Sequence, residues 1–178
     1  MEAAIAEGRI MDTLQEVSVE AGDAFYIPAG TVHALCSGVV VAEIQQNSDT
    51  TYRLYDYDRP GLDGQLRELH IEDSLNVIAY AGAGAQRMKT DSARPGEWLN
   101  IASSPYFIVE KGIVKTPWTL TTTQESFVIL VVADGEGSLK WADGEQAVKA
   151  GECFLLPATL GGYELSGGMT VLRSVVPV

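Results

Sequence analysis

The 178-residue chain is 46% apolar and 20% charged, the proportions of an ordinary globular protein with room for one sizeable domain or two small ones. Its 24 acidic and 12 basic side chains give a formal charge of −12. That balance argues against nucleic acid or an anionic membrane as the main partner, because each requires a basic face. An anionic small molecule would need a local cluster of Arg or Lys set against the global field. The two cysteines, Cys36 and Cys153, lack CxxC or recurrent spacing, so a disulfide framework is not expected. No run approaches the ~18 apolar residues of a membrane span, and the first residues lack a basic-then-apolar leader pattern. These features point to the cytoplasm.

Residues 2–16 are rich in Ala, Glu, Leu, Ile and Met and predict a helical lead-in, which Gly8 divides into two short helices. From Val17 the character changes. Apolar runs at Val17–Val19, Ala24–Ile27 and Val39–Ile44 alternate with Gly, Pro and Ser, an all-β pattern. Residues 50–60 alternate Tyr and Leu with charged residues and predict a half-exposed strand, with Tyr52, Tyr55 and Tyr57 packing on a sheet. Residues 72–80 read as a short amphipathic helix with acidic residues at its positive end. A small-residue stretch and a polar run then predict a linker over 84–97, separating a first domain (1–83) from a second (98–178). In the second, strands are expected at Phe107–Lys111, Ser126–Ala133, Gly137–Trp141, Cys153–Leu156 and Thr170–Val176.

An internal repeat joins the two parts. Residues Val19–Ala29 recur as Val148–Ala158 at an offset of 129, with Gly22/Gly151, Phe25/Phe154 and Pro28/Pro157 in register. Two copies of one β fold follow. The first copy runs on as G-x5-P-x-G-x2-H from Gly22 to His33. In physical terms, Gly22 and Asp23 form a turn, Ala24–Ile27 a strand and Pro28–Gly30 a tight turn. His33 then points back into a barrel, where a neutral imidazole either binds a metal such as zinc or satisfies a core hydrogen bond. This pattern resembles the second conserved motif of the cupin superfamily, whose double-stranded β-helix (jelly roll) holds a metal inside the barrel.

Residues 40–59 (VVAEIQQNSDTTYRLYDYDR) and Arg67–Ile71 (RELHI) narrow the resemblance to bacterial type I mannose-6-phosphate isomerases. Those enzymes interconvert mannose 6-phosphate and fructose 6-phosphate with one bound zinc. The resemblance implies that His33 is the last zinc ligand and that Arg53 faces the substrate. It places Glu43 and Asp49 at acidic positions near that arginine, as catalytic candidates. The reaction moves a proton between C1 and C2 through an enediolate, so it needs a base, a cation for the developing oxyanion and a phosphate anchor. Arg53 suits either cationic role, and for both acids the alternative is a salt bridge that holds Arg53. His70, at the start of the helix, is expected to be structural, and Cys36 to be an inert buried thiol.

Two departures shape the functional expectation. Where the first copy has Gly30 and His33 the second has Thr159 and Gly162, and no histidine occurs from residue 98 onward. The second domain is therefore expected to be metal-free. Only about sixteen helical residues precede the surviving motif, so the first barrel reads as partial and the chain as a C-terminal portion, from a fragment or a shortened gene. The expectation is an aldose–ketose isomerase homologue that takes a sugar phosphate and self-associates through exposed strand edges. The alternative is a metal-poor remnant of two cupin domains that binds sugar phosphate, or serves structurally, without turnover.

Overall fold

A computed structural model describes residues 1–48, 50–81 and 84–177. It divides into two compact units, one of Met1–Ala21, Phe25–Val39 and Ser48–Arg87, the other of Gly22–Ala24, Val40–Asn47 and Met88–Val178. The first opens with helix α1 (Glu2–Ala6), passes through Gly8 at φ +67° and continues as a 3-10 turn over Ile10–Thr13. This is the divided lead-in expected from the composition. Helix α2 spans Ile71–Val77 with Glu72 and Asp73 in its first turn. Strand β1 (Ala24–Tyr26) pairs with β2 (Gln86–Met88), so part of the stretch read as a linker is a strand. No helix among the described residues is long and apolar enough to cross a membrane.

The second unit carries the main core. Its strands are β3 (Trp98–Ser103), β4 (Ile108–Val114), β5 (Trp118–Thr121), β6 (Val128–Trp141), β7 (Gly144–Lys149), β8 (Cys153–Leu156) and β9 (Gly162–Val175). They form one antiparallel sheet in the order β3-β4-β9-β6-β7, with β5 also on β9 and β8 also on β6. The two 14-residue strands, β6 and β9, are the spine. They pair with each other from Val128↔Val175 to Trp141↔Tyr163, and each takes different partners along its two halves. This is how a jelly roll folds a sheet over itself. Along β6, Val128, Leu130 and Val132 are buried while their neighbours are partly exposed, the period of two that a strand imposes. A bulge between Val132 and Asp134 then shifts the register, and Leu139 is the next buried residue. An inserted residue bends a strand and resets which side chains face inward.

Several strand expectations need correction. From Val128 on, Ser126–Ala133 and Gly137–Trp141 are one strand, because the intervening Asp134, Gly135 and Glu136 stay in the ladder with β9. The glycines are required there: a Cβ on Gly135 or Gly137 would collide with the carbonyl oxygen of Gly168 or Ser166 on β9. Thr170–Val176 is only the second half of β9. Conversely, Val17–Val19, Val39–Ile44 and residues 50–60 are not strands. The apolar runs and the alternation over 50–60 are present in the sequence, but among the described residues these stretches form no ladder beyond an isolated bridge at Pro60, and an unpaired strand is not stable. Cys36, expected to be buried, is exposed, as is Cys153, and neither forms a disulfide.

Candidate functional site

The Gly22–Gly30 part of the motif follows the expected turn–strand–turn geometry, whereas His33, expected to point back into a barrel, is exposed. Gly22 sits at φ +100°, β1 follows, and Thr31 N–H donates to the Pro28 carbonyl at 3.2 Å with Gly30 at φ +80°. Glycine at the third position of such a turn is the requirement of type II geometry. Space demands it as well, since a Cβ on Gly30 would lie 2.6 Å from the Val77 carbonyl oxygen. The Gly30 carbonyl accepts from Ala79 N–H at 3.0 Å, tying the turn to the end of α2. His33 is exposed, and its Nδ1 lies 2.9 Å from the Thr31 carbonyl oxygen. Donation from Nδ1 leaves the lone pair on Nε2, the arrangement that orients a ligating imidazole. Yet among the described residues no three His, Cys, Asp or Glu side chains converge on a metal position. Zinc needs three or four ligands, so these residues do not by themselves fit the ion that the resemblance implies.

A second cluster lies between residues 53 and 70, a segment clamped at its ends. His70 N–H donates to the Arg53 carbonyl at 2.8 Å, and Arg53 N–H donates to His70 Nδ1 at 3.2 Å. His70 is thus a backbone clamp, in keeping with a structural role. Within the segment, Tyr57 and Asp58 adopt φ of +55° and +51°, so the chain reverses at Asp56–Arg59 with Arg59 N–H donating to the Asp56 carbonyl at 3.1 Å. A second reversal brings Arg67 back. Pro60 bridges Leu66, and Gly61 N–H donates to the Gln65 carbonyl at 2.7 Å.

Both reversals deliver guanidinium groups to one carboxylate. Asp56 is 7% exposed. Its Oδ2 accepts from Arg67 Nε at 2.6 Å, and its Oδ1 accepts from Arg59 Nη2 at 2.9 Å and from Arg67 Nη2. Arg53 Nε approaches Oδ1 at 3.9 Å while its Nη1 donates to the Glu68 carbonyl at 3.1 Å. The Arg67 hydrogen bonds, followed by those of Arg59, hold the Asp56 carboxyl down at about 2 against burial, which pushes the other way. Reciprocally, hydrogen bonding to Asp56 raises Arg67. Three guanidinium charges on one carboxylate leave a surplus of two positive charges within a chain of net −12. Arg59 and Arg67 are 61% and 42% exposed and Arg53 is 25% exposed, so each retains donors that face outward.

Of the residues singled out from sequence, then, Arg53 belongs to this cluster. His33 lies in the same unit, Glu43 is exposed in the other unit, and Asp49 lies outside the described residues. Asp56, Arg59 and Arg67 were not singled out. The requirement for a local basic cluster was the available signal, and the charged residues of YDYDR and RELH were its material.

The interior of the second unit holds a different polar group. Glu110 and Arg173 occupy opposed positions on β4 and β9, with Arg173 Nε donating to Glu110 Oε2 at 2.7 Å. The Trp98 ring covers the guanidinium at 4.3 Å and contacts the Trp118 ring at 4.6 Å. Burial pushes the nearby Tyr163 phenol up, an effect that Arg173 partly offsets. In the second copy of the repeat, Thr159 lies in a 3-10 turn and Gly162 opens β9.

Comparison with known proteins agrees with this architecture. Residues 99–176 match the family model for the cupin domain of mannose-6-phosphate isomerase. The chain is 38% identical over 170 residues to the mannose-6-phosphate isomerase ManA of Bacillus subtilis (strain 168), covering 92% of this chain and 52% of that protein. It is 34% identical over 170 residues to the mannose-6-phosphate isomerase of Streptococcus mutans, covering 96% of this chain and 54% of that one. A crystal structure of the mannose 6-phosphate isomerase from Bacillus subtilis superposes with a TM-score of 0.61 at 34% identity, covering 72% of this chain and 41% of that chain. The chain spans about half the length of the curated relatives it matches, and corresponds to their C-terminal portion.

Proposed function

This chain belongs to the mannose-6-phosphate isomerase family, and on that premise we propose that it contributes the sugar-phosphate-binding part of a site that interconverts mannose 6-phosphate and fructose 6-phosphate. The arginine cluster on Asp56 carries this reading. It is the local positive charge that an anionic substrate requires in an acidic chain, and guanidinium forks match phosphate oxygens. Arg53, the least exposed of the three, suits the enediolate oxygen, because a fixed donor counts for more where water is scarce. Arg59 and Arg67 suit the phosphate. Roles for Glu43 and Asp49 in proton transfer rest on family resemblance alone. A zinc ion, which in this family would polarise the sugar carbonyl, would take His33 as one ligand, and the described residues do not supply the others.

Between Ile10 and Ile101 no described hydrophobic residue is buried, and Val17, Val19, Leu35, Leu62 and Leu66 are exposed. Apolar surface of this kind normally packs against something. We propose that it receives the further β structure of the family that this chain does not span, with self-association as the competing occupant. We place the protein in the cytoplasm, in keeping with its unpaired cysteines. The test is to mix the chain with a polypeptide corresponding to the amino-terminal half of a curated relative and zinc, and to follow fructose 6-phosphate in a coupled assay. Turnover is expected in the mixture only, falling by about 10²-fold or more on Arg53→Ala. Binding of mannose 6-phosphate without turnover would favour the alternative of a sugar-phosphate-binding module. Absence of both would overturn the proposal.

A further inference from the structure

Three guanidinium groups do not gather on a surface unaided, since like charges repel. Here one carboxylate and two chain reversals assemble them. Asp56 is nearly buried and directs both of its oxygens at arginine nitrogens. The first reversal uses two consecutive non-glycine residues, Tyr57 and Asp58, in the left-handed region. L residues seldom adopt that conformation, and proteins tend to retain such strain where function depends on the geometry it creates. Its product is that Arg59 donates twice to its own turn, through Nη2 to Asp56 Oδ1 and through Nε to the Asp56 carbonyl at 3.3 Å. The Arg59 ring partner is Tyr57, 5.5 Å below the guanidinium. Arg67 is held edge-on by both Asp56 oxygens. Each fork is therefore fixed on one edge, and the other edge is left to meet a ligand.

We propose that Asp56 is a positioning residue, which orients Arg59 and Arg67, with Arg53, as a preformed set of donors for the phosphate group of the substrate. The inference rests on the reading that this cluster takes the sugar phosphate, and it adds a role for a residue that need never touch that substrate. Replacing Asp56 by Asn raises the positive surplus of the cluster from two to three. If charge alone governed binding, the variant would hold an anion more tightly. If orientation governs, it binds more weakly despite the added charge, because the freed side chains must be ordered again on each binding event.

The experiment titrates inorganic phosphate into the full chain at pH 7.5 and low salt by calorimetry. It compares the unmodified protein with Asp56→Asn, Asp56→Glu and Arg59→Gln, each checked for folding by far-UV circular dichroism. Saturable phosphate binding is expected, weakened about tenfold by Arg59→Gln and about tenfold by Asp56→Asn. Equal or tighter binding in a folded Asp56→Asn variant would overturn the positioning role and leave the phosphate site standing. If Asp56→Asn does not fold, Asp56→Glu decides, since it keeps the charge but displaces the carboxylate by one methylene. Several-fold weaker binding supports positioning, and unchanged affinity overturns it. Absence of phosphate binding to the unmodified chain would instead remove the sugar-phosphate reading, and this inference with it.

Discussion

The ion pair inside the second unit can be weighed by a double-mutant cycle. Glu110 and Arg173 retain only 17% and 22% of their side-chain exposure, and Trp98 lies across the guanidinium. Removing one partner of a buried pair typically costs 3–5 kcal/mol, because the other charge stays desolvated. Since about a fifth of each side chain still reaches water, about 2–3 kcal/mol is expected for Arg173→Met or Glu110→Leu alone. The double variant leaves no orphaned charge. It loses the pair and a cation–π contact of about 1 kcal/mol, so it is expected to cost about 1–2 kcal/mol in total. The coupling is therefore about 3 kcal/mol. Urea denaturation followed by tryptophan fluorescence is the suitable assay, since the three tryptophans, Trp98, Trp118 and Trp141, all lie in this unit and report on its unfolding. Additivity of the single variants within about 0.5 kcal/mol would refute the claim that the two charges depend on each other.

Two further outcomes follow from local geometry. Gly137→Ala drives a methyl group into the Ser166 carbonyl of the partner strand. It is expected to cost about 3 kcal/mol or more by the same urea assay, against under about 0.5 kcal/mol for Gly162→Ala, where an added Cβ meets nothing within 4 Å. Asp56 supplies a pH dependence of stability. Its carboxyl titrates at about 2 in the folded chain rather than at the ordinary 3.8, so the unfolded chain binds its proton first as acid is added. The stabilisation is complete above about pH 4 and disappears as the pH falls towards 2. A melting-temperature series across that range should be flatter in Asp56→Asn, and a series parallel to that of the unmodified protein would show that Asp56 is not responsible.

Local chemistry was readable wherever a short run of residues determines it. The turn at Pro28–Gly30 and strand β8 at Cys153–Leu156 follow directly from residue type. So does the correspondence of Gly22 and Gly151, both at positive φ. Glycine misled the reading where it serves two purposes. In β6 and β9 it permits close approach of two backbones, and in sequence that looks the same as a break. The apolar runs at Val17–Val19 and Val39–Ile44 show that residue type encodes a willingness to pair, whereas a strand also needs a partner. At the candidate site, Arg53 was recognisable through its surrounding motif. The convergence of Arg59 and Arg67 was not, because it depends on a left-handed reversal at Tyr57–Asp58 and a second one between Pro60 and Leu66. The first lacks the Asn-Gly or Gly-Gly signature by which such turns are usually recognised, and the second, although Asp63-Gly64 marks a turn there, gives no sign of which side chains it brings together.

Because β6 and β9 each run through both halves of the folded-over sheet, the two halves share their backbone hydrogen bonds along a common seam. Peeling β5 or β7 from an edge exposes only short ladders, and such openings cost little. Reaching the amides of Val131 or Leu172, which oppose each other across β6 and β9, requires the seam itself to part, and with it the support of the strands on either side. The amides at the centre of the seam should therefore exchange with solvent only through global opening of this unit, while edge amides exchange through small local fluctuations. The architecture thus concentrates cooperativity in two strands, and an internal break in either one would disable the whole unit.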